Sequence, residues 1–188
     1  MHASRISNPV RYAVRMHTRQ RLAGAGIGAL AIALVVGLSA ARAQDAPPES
    51  VLSCIASGTK VGHTWLNHAD AAKLAEAVRI FESESPDADY PEGTVIRAIP
   101  QEAMIKRSRA AFPNTNGWEY FALAVTPQGT TVRERGDAAS NRLGTCQSCH
   151  SKATKFDYIC RSGHDCPSVP LTEQQIATLQ GNDPRCAK

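Results

Sequence analysis

The segment Cys146-Gln147-Ser148-Cys149-His150 constrains this chain more than any other part of its sequence. Two cysteines separated by two residues and followed directly by a histidine form the signature for covalent attachment of a c-type haem. In such a site each thiol forms a thioether bond at the porphyrin edge, and the histidine ligates the iron. The motif predicts one haem c per chain, with Cys146 and Cys149 as the attachment residues and His150 as the metal ligand.

A C-x-x-C pair alone would also suit a zinc site or a redox-active dithiol. The histidine directly after Cys149 favours haem over both alternatives. The sequence has no second cysteine pair at structural-zinc spacing near this segment. A predicted export signal points the same way, because haem c is attached on the far side of the membrane.

Residues 1–43 have the layout of a secretory signal peptide. A leader with several arginines and no acidic residue is followed by the apolar run Leu22–Leu38 and by Ala41-Arg42-Ala43, a small-x-small cleavage pattern. Met16 is an alternative start that would give a leader of ordinary length. An uncleaved anchor is the other interpretation, but the run is shorter than the roughly 20 residues of a membrane span. We therefore predict a bacterial periplasmic protein without a stable membrane span after cleavage.

The charge of the chain changes when the leader is removed. The full chain has a formal net charge of +4, and the leader contains six arginines and no Asp or Glu. The remainder therefore carries a net charge of −2. The basic character belongs to the leader and gives no reason to expect nucleic-acid binding.

The pattern of hydrophobic residues predicts a mixed α+β fold. We divide the chain into the signal peptide (1–43), a flexible segment with a short helix (44–59), a haem domain (60–160) and a cysteine-containing tail (161–188). Periodicity and turn residues predict a helix over Asn67–Glu82 capped by Asn67 and a helix over Thr172–Gln180 capped by Thr172. Between them they predict a strand over Thr94–Ile99 and a short helix over Pro100–Ala110. A hairpin of Trp118–Thr126 with Thr130–Glu134 follows.

Four cysteines lie outside the haem motif, and export to an oxidising compartment allows them to form two disulfides. Four cysteines have three pairings, among which sequence alone does not choose. We favour Cys160 with Cys166, which closes a short loop, and Cys54 with Cys186, which ties the two ends together.

The second axial ligand of the iron separates the functions that the motif allows. Electron-transfer cytochromes usually fill that position with Met or His, but no methionine follows Cys149. Met104, His63 and His68 are the candidates upstream, and we expect His164 to be a surface loop residue. An open, five-coordinate iron is therefore the preferred hypothesis.

Three further segments resemble the cytochrome P-460 family. Tyr90 to Ile96 resembles its P-x-G-T-V strand entry, Trp118 to Phe121 resembles its W-x-[YF]-[YF] strand, and Cys146 to Tyr158 resembles its C-terminal motif. The resemblance covers roughly residues 60–160. It implies a curved antiparallel sheet with flanking helices and a haem c motif near the C-terminus. One branch, cytochrome P-460, oxidises hydroxylamine and has a lysine cross-linked to the haem, whereas the cytochrome c′-beta branch lacks that lysine and binds gases such as nitric oxide.

The place of the family lysine falls near Ala98, and no lysine occurs between Lys73 and Lys106. The sequence therefore favours binding of small gaseous ligands. Hydroxylamine oxidation and electron transfer to a periplasmic redox partner are the alternatives, and whether the chain forms a homodimer is left open. Arg97, Phe112 and Phe121 are the candidates for the distal side of the haem.

Overall fold

A six-stranded antiparallel sheet, with its strands in chain order, organises residues 47–186, the part of the chain that the computed structural model describes. The predicted signal peptide lies outside the described residues. The strands are β1 (Thr59–Val61), β2 (Thr64–Asn67), β3 (Val95–Arg97), β4 (Glu102–Lys106), β5 (Trp118–Thr126) and β6 (Gly129–Arg135). A short hairpin pairs β7 (Ser140–Asn141) with β8 (Gly144–Thr145), and the helices are α1 (Glu49–Leu52), α2 (Ala71–Ser83), α3 (Cys146–His150) and α4 (Glu173–Gly181). The α+β prediction is confirmed.

Each face of the sheet carries its own apolar cluster, because side chains along a strand alternate between the two faces. The α2 face carries Leu66, Ile96, Met104 and Tyr120, on which α2 packs through residues that include Phe81. The α1 face carries Val95, Ala103, Ile105, Phe121 and Leu123, on which α1 packs through Val51. Trp118 and Tyr120 belong to the first cluster and Phe121 and Leu123 to the second, as expected of alternating side chains along β5.

Helix α2 begins four residues later than the sequence predicts. Asn67 ends β2 and does not cap the helix. The N-cap is Asp70, whose carboxylate accepts hydrogen bonds from the Ala72 and Lys73 amides. Because Asp70 is extended, with φ −98° and ψ 123°, the chain leaves the sheet before it turns into the helix. The backbone amides of the helix start also lower the pKa of Asp70, with Lys73 contributing most.

The predicted helix over Pro100–Ala110 is wrong, since Glu102–Lys106 form strand β4. Pro100 lies in the turn before β4 and not at a helix start. The residues Glu, Ala, Met and Lys favour helices in isolation, but this segment pairs with β3 on one side and with β5 on the other. Tertiary pairing therefore overrides the local preference.

The predicted strand over Thr94–Ile99 is the shorter strand β3, whereas the predicted hairpin, last helix and disulfides agree with the structure. Strands β5 and β6 form the predicted hairpin, with a bulge between Ala122 and Leu123. Helix α4 begins after Thr172, whose hydroxyl accepts from the Gln175 amide in a capping box. The disulfides are Cys54–Cys186 and Cys160–Cys166, as predicted. Within the described range, no helix has the length and apolarity that crossing a lipid bilayer requires.

Candidate functional site

Helix α3 places the two unpaired cysteines and His150 along one short stretch of helix. Thr145 caps it by accepting a hydrogen bond from the Ser148 amide at 3.2 Å, and the Cys146 amide donates to the Ala139 carbonyl at 2.9 Å. Residues three and four positions apart are neighbours on a helix surface. Cys149 and His150 therefore both lie one turn from Cys146, which brings the two thiols and the imidazole together.

His150 is oriented by a backbone carbonyl. Its Nδ1 lies 2.7 Å from the Tyr158 carbonyl oxygen, which can only accept, so Nδ1 carries the proton and Nε2 keeps the lone pair. Burial lowers the pKa of His150, which favours the neutral ring. Metal-ligating histidines usually donate their other ring N–H to a carbonyl or a carboxylate in this way.

The segment that carries this carbonyl is anchored by Asp157. Both carboxylate oxygens of Asp157 accept from the Lys106 Nζ, at 2.8 and 2.6 Å, and they also accept from the Tyr90 amide and the Asn116 side chain. Burial raises the pKa of Asp157, and the Lys106 ammonium opposes that effect. Asp157 and Tyr158 are both left-handed, with φ 49° and 63°, a conformation that costs free energy in non-glycine residues and that surrounding contacts must maintain.

The two thiols of the motif are the free ones in a chain of six cysteines, since the other four form disulfides. Burial raises the pKa of Cys146 to about 11 and also raises that of Cys149. Redox-active and nucleophilic cysteines usually have a lowered pKa. These thiols therefore lack the lowered pKa of a catalytic dithiol, and they exchange with disulfides more slowly than the thiols of such an enzyme. Among residues 47–186, no group of three or more His, Cys, Asp or Glu side chains is placed to hold a metal ion.

A cleft lies between this helix and the α2 face of the sheet; we call it the His150 cleft. It encloses about 550 Å³ of atom-free space, part of it open to solvent. Pockets for small molecules and cofactors are typically apolar with a few polar groups. Its lining includes Cys146, His150, Tyr120, Met104, Ile96, Phe81, Thr64, Glu102, Ile159 and Cys160.

These residues fit a haem bound through its edge. The lining is largely apolar and includes Cys146 and His150, Cys149 lies one helical turn from Cys146, and the lone pair of His150 is on the nitrogen that a metal would use. Tyr120 adds a polar group: its hydroxyl is buried without a hydrogen-bond partner, and its ring centroid lies 5.0 Å from that of His150. Burial raises the pKa of Tyr120 well above its ordinary value, so the hydroxyl stays a donor.

The structure separates the three residues predicted for the distal side. Arg97 is among the lining residues of the cleft, but its Nη1 donates to the Ser50 and Ser53 carbonyls beside α1. Burial lowers the pKa of Arg97 to about 10. Phe121 is also among the lining residues, and its side chain belongs to the α1-face cluster. Phe112 lines a separate surface pocket with Asp137.

Of the candidate axial ligands, only Met104 lines the His150 cleft. His68 has both ring nitrogens engaged, by the Glu92 carbonyl and the Asp70 amide. The Nε2 atom of His63 lies 3.5 Å from Glu173 near the protein surface. His164, expected at the surface, is instead buried and stacked on Phe156 with the ring centroids 3.7 Å apart.

The sequence analysis missed Tyr120 and Ile96 as lining residues, although the alternation along β5 and β3 could have indicated them. It also placed Lys106 in a helix, whereas the structure places it on β4, two residues after Met104 and on the same face. The described lining of the cleft includes no lysine. Comparisons of the chain with protein-family models, curated proteins and solved structures found no match.

Proposed function

We propose that this chain is an exported mono-haem c-type cytochrome whose haem occupies the His150 cleft and binds small gaseous ligands such as nitric oxide. The observation that carries the proposal is the hydrogen bond from His150 Nδ1 to the Tyr158 carbonyl at 2.7 Å. It leaves Nε2 as a ligand nitrogen on a residue that lines an apolar cleft together with the free Cys146, and the second free thiol, Cys149, is adjacent in the chain. When bound, haem supplies an iron that can bind such a ligand or change its oxidation state.

Each residue of the site would have its own role in binding the haem. Cys146 and Cys149 would hold the haem edge, and His150 would ligate the iron. Asp157 would keep the Tyr158 carbonyl in place, and the apolar residues Ile96 and Phe81 would limit water in the cleft. Tyr120 lines the cleft, and its buried, unpartnered hydroxyl would donate a hydrogen bond to a polar atom there. The resemblance to the cytochrome c′-beta branch supports the same assignment, and an antiparallel sheet with helices is the fold that it implies.

The test is the absorption spectrum of the oxidised, reduced and nitric-oxide-treated protein, together with mass spectrometry of tryptic peptides. We expect the peptide Leu143–Lys152 to carry the mass of haem, and the reduced protein to be five-coordinate and to change its spectrum with nitric oxide. A chain exported by cells competent in haem attachment, but without haem on that peptide, would refute the proposal.

A second candidate function is electron transfer, and the position of Met104 favours it. Met104 lines the cleft that contains His150, and a methionine ligand is typical of electron-transfer cytochromes. Substitution of Met104 by Leu decides between the two, with Ile96→Leu as a matched change in the same cleft. The gas-binding proposal predicts unchanged coordination in both variants. Conversion of a six-coordinate protein to a five-coordinate one by Met104→Leu alone would establish the electron carrier.

Hydroxylamine oxidation of the cytochrome P-460 type remains the third alternative. It requires a covalent bond between a lysine and the haem. Lys106 lies on the face of the sheet that borders the cleft, but its ammonium group contacts Asp157 at 2.6 Å and Asp89 at 2.7 Å. A haem-bearing digest that contains a third protein–haem bond, to Lys106, would establish this alternative. Two thioether bonds alone would exclude it.

A further inference from the structure

The loop closed by the Cys160–Cys166 disulfide contacts the free thiol of Cys149. The Cys149 sulfur lies 4.0 Å from the Cys160 sulfur, and the Cys166 sulfur lies 3.9 Å from the Cys149 carbonyl oxygen. Neither contact is required by the predicted haem motif, which the two cysteines and His150 complete by themselves. Thiol–disulfide exchange proceeds by attack of a thiolate on a disulfide sulfur, and the contact brings the Cys149 sulfur within reach of one.

Independent contacts hold both sides of this arrangement. Cys149 is held by helix α3, which Thr145 caps. On the other side, His164 Nδ1 lies 2.7 Å from the Ile159 carbonyl oxygen, and its ring stacks on Phe156. His164 therefore fastens the disulfide loop to the segment that precedes Cys160. The contact between the Cys149 and Cys160 sulfurs therefore depends on the packing of helix α3 and of the disulfide loop.

From this geometry we infer that Cys149 exchanges with the Cys160–Cys166 disulfide before haem attachment, as a second reaction of the same thiol. The Cys149 thiolate attacks the Cys160 sulfur, the Cys149–Cys160 bond forms and the Cys160–Cys166 bond breaks. Cys166 leaves as a thiolate and takes up a proton, so no external oxidant or reductant is consumed. Cys146, one helical turn away, can then attack Cys149, which moves the disulfide into the C-x-x-C pair and releases Cys160 as a thiolate.

The position of this exchange equilibrium determines the fraction of molecules that can accept haem. A chain that carries the Cys149–Cys160 bond has no thiol at position 149 for a thioether, and a chain with the Cys160–Cys166 bond has both thiols of the motif. Haem attachment in turn consumes the Cys149 thiol, and the Cys160–Cys166 disulfide can then no longer exchange with it. That consequence rests on the proposed function, whereas the exchange itself depends only on the sulfur contacts.

The positions of lysine and arginine make the pairing directly measurable. Trypsin separates Cys149 from Cys160 at Lys152 and Lys155, and it separates Cys160 from Cys166 at Arg161. In a full-length C146S variant prepared without haem and quenched by alkylation, we expect two linked species: Phe156–Arg161 joined to Ser162–Arg185, and Phe156–Arg161 joined to Leu143–Lys152. The second species should be lost in C149S. If C146S yields only the first species, the inference is wrong.

A second variant tests the same contact without an exchange equilibrium. In the double variant C146S/C166S, Cys160 has lost its partner and Cys149 cannot pair with Cys146, so gentle oxidation should join Cys160 to Cys149 in most molecules. Two free thiols at these positions after oxidation would overturn the inference.

The wild-type chain offers a readout without any substitution, because exchange exposes Cys166 to alkylation and haem attachment should abolish that labelling. Haem on the Leu143–Lys152 peptide is measured separately, so failure of the exchange and failure of the proposed haem site are distinguishable.

Discussion

At the scale of single residues, Asp157 connects the sheet to the carbonyl that orients His150. Its carboxylate is buried, and it neutralises Lys106, which is itself only 2% exposed. Removal of one partner of a buried ion pair leaves an uncompensated charge and typically costs several kcal/mol. The pair therefore affects both the stability of the chain and the position of the Tyr158 carbonyl.

Substitution of Asp157 by Asn should lower the free energy of unfolding by roughly 3 kcal/mol, because the Lys106 charge stays buried without its main partner. Denaturation by urea without reductant measures the effect. Asp89→Asn is the matched control, since Asp89 contacts the same ammonium group at 2.7 Å but is 49% exposed. We expect a change of at most about 1 kcal/mol there. Equal effects of the two substitutions would show that Asp157 has no special role.

Asp183 provides a residue-scale prediction about pH. Burial by itself would raise the pKa of Asp183, but hydrogen bonds from Arg185 and from the Ile55 amide outweigh it, and the net pKa is lowered. A lowered pKa in the folded state contributes stability above the unfolded pKa of about 3.9, and the contribution is lost as the pH falls through the folded value. Asp183→Asn should therefore destabilise the chain at pH 7 and progressively less below about pH 4.

Urea denaturation at a series of pH values measures this difference between the wild type and Asp183→Asn. Asp137, which is exposed, supplies the control substitution, and Asp137→Asn should change stability little at any pH. A deficit of Asp183→Asn that stays constant down to pH 2 would contradict the assignment.

At the scale of elements, α4 connects the C-terminal segment to the edge of the sheet. The Gln180 side chain donates to the His63 and Ala98 carbonyls, both at 2.7 Å, and the capping box at Thr172 fixes the helix start. Thr172→Ala should cost about 1 kcal/mol of stability, the usual effect of removing an N-cap hydroxyl. Thr154→Ala, at an exposed position of a 3-10 turn, is the control. Thermal unfolding of the two variants compares them, and equal melting temperatures would count against the cap.

Sequence predicted the elements whose determinants are local and missed those that depend on distant pairing. The alternation in β5, the Pro127-Gln128-Gly129 turn and the Thr172 cap are all readable within a few residues. Strand β4 was missed because its composition favours a helix and only its pairing with β3 and β5 makes it a strand.

The same distinction applies to the candidate site. The motif residues Cys146, Cys149 and His150 are contiguous and were predicted. The ion pair of Lys106 with Asp157 joins residues 51 positions apart, and no periodicity encodes such a distance. Arg97 is one residue from Ile96, yet the alternation of the strand directs its guanidinium to α1 and away from the α2 face.

At the scale of the whole molecule, the two ends of the described segment are linked to each other. Cys54 and Cys186 are bonded across a separation of 132 residues. Next to them, Asp183 accepts from the Ile55 amide and Arg185 donates to the Leu52 carbonyl. The segment at the end of α1 and the segment that follows α4 therefore stabilise each other, although neither belongs to the sheet.

The two disulfides should contribute unequally, because a cross-link restricts the unfolded chain more when it closes a longer loop. From loop length alone, the double substitution of Cys54 and Cys186 by Ser should cost roughly 4–5 kcal/mol, and that of Cys160 and Cys166 about 2 kcal/mol. Urea denaturation of both variants, with free thiols blocked, makes the comparison. If the variant without the short loop were the less stable one, native contacts around His164 and Cys149 would outweigh chain entropy.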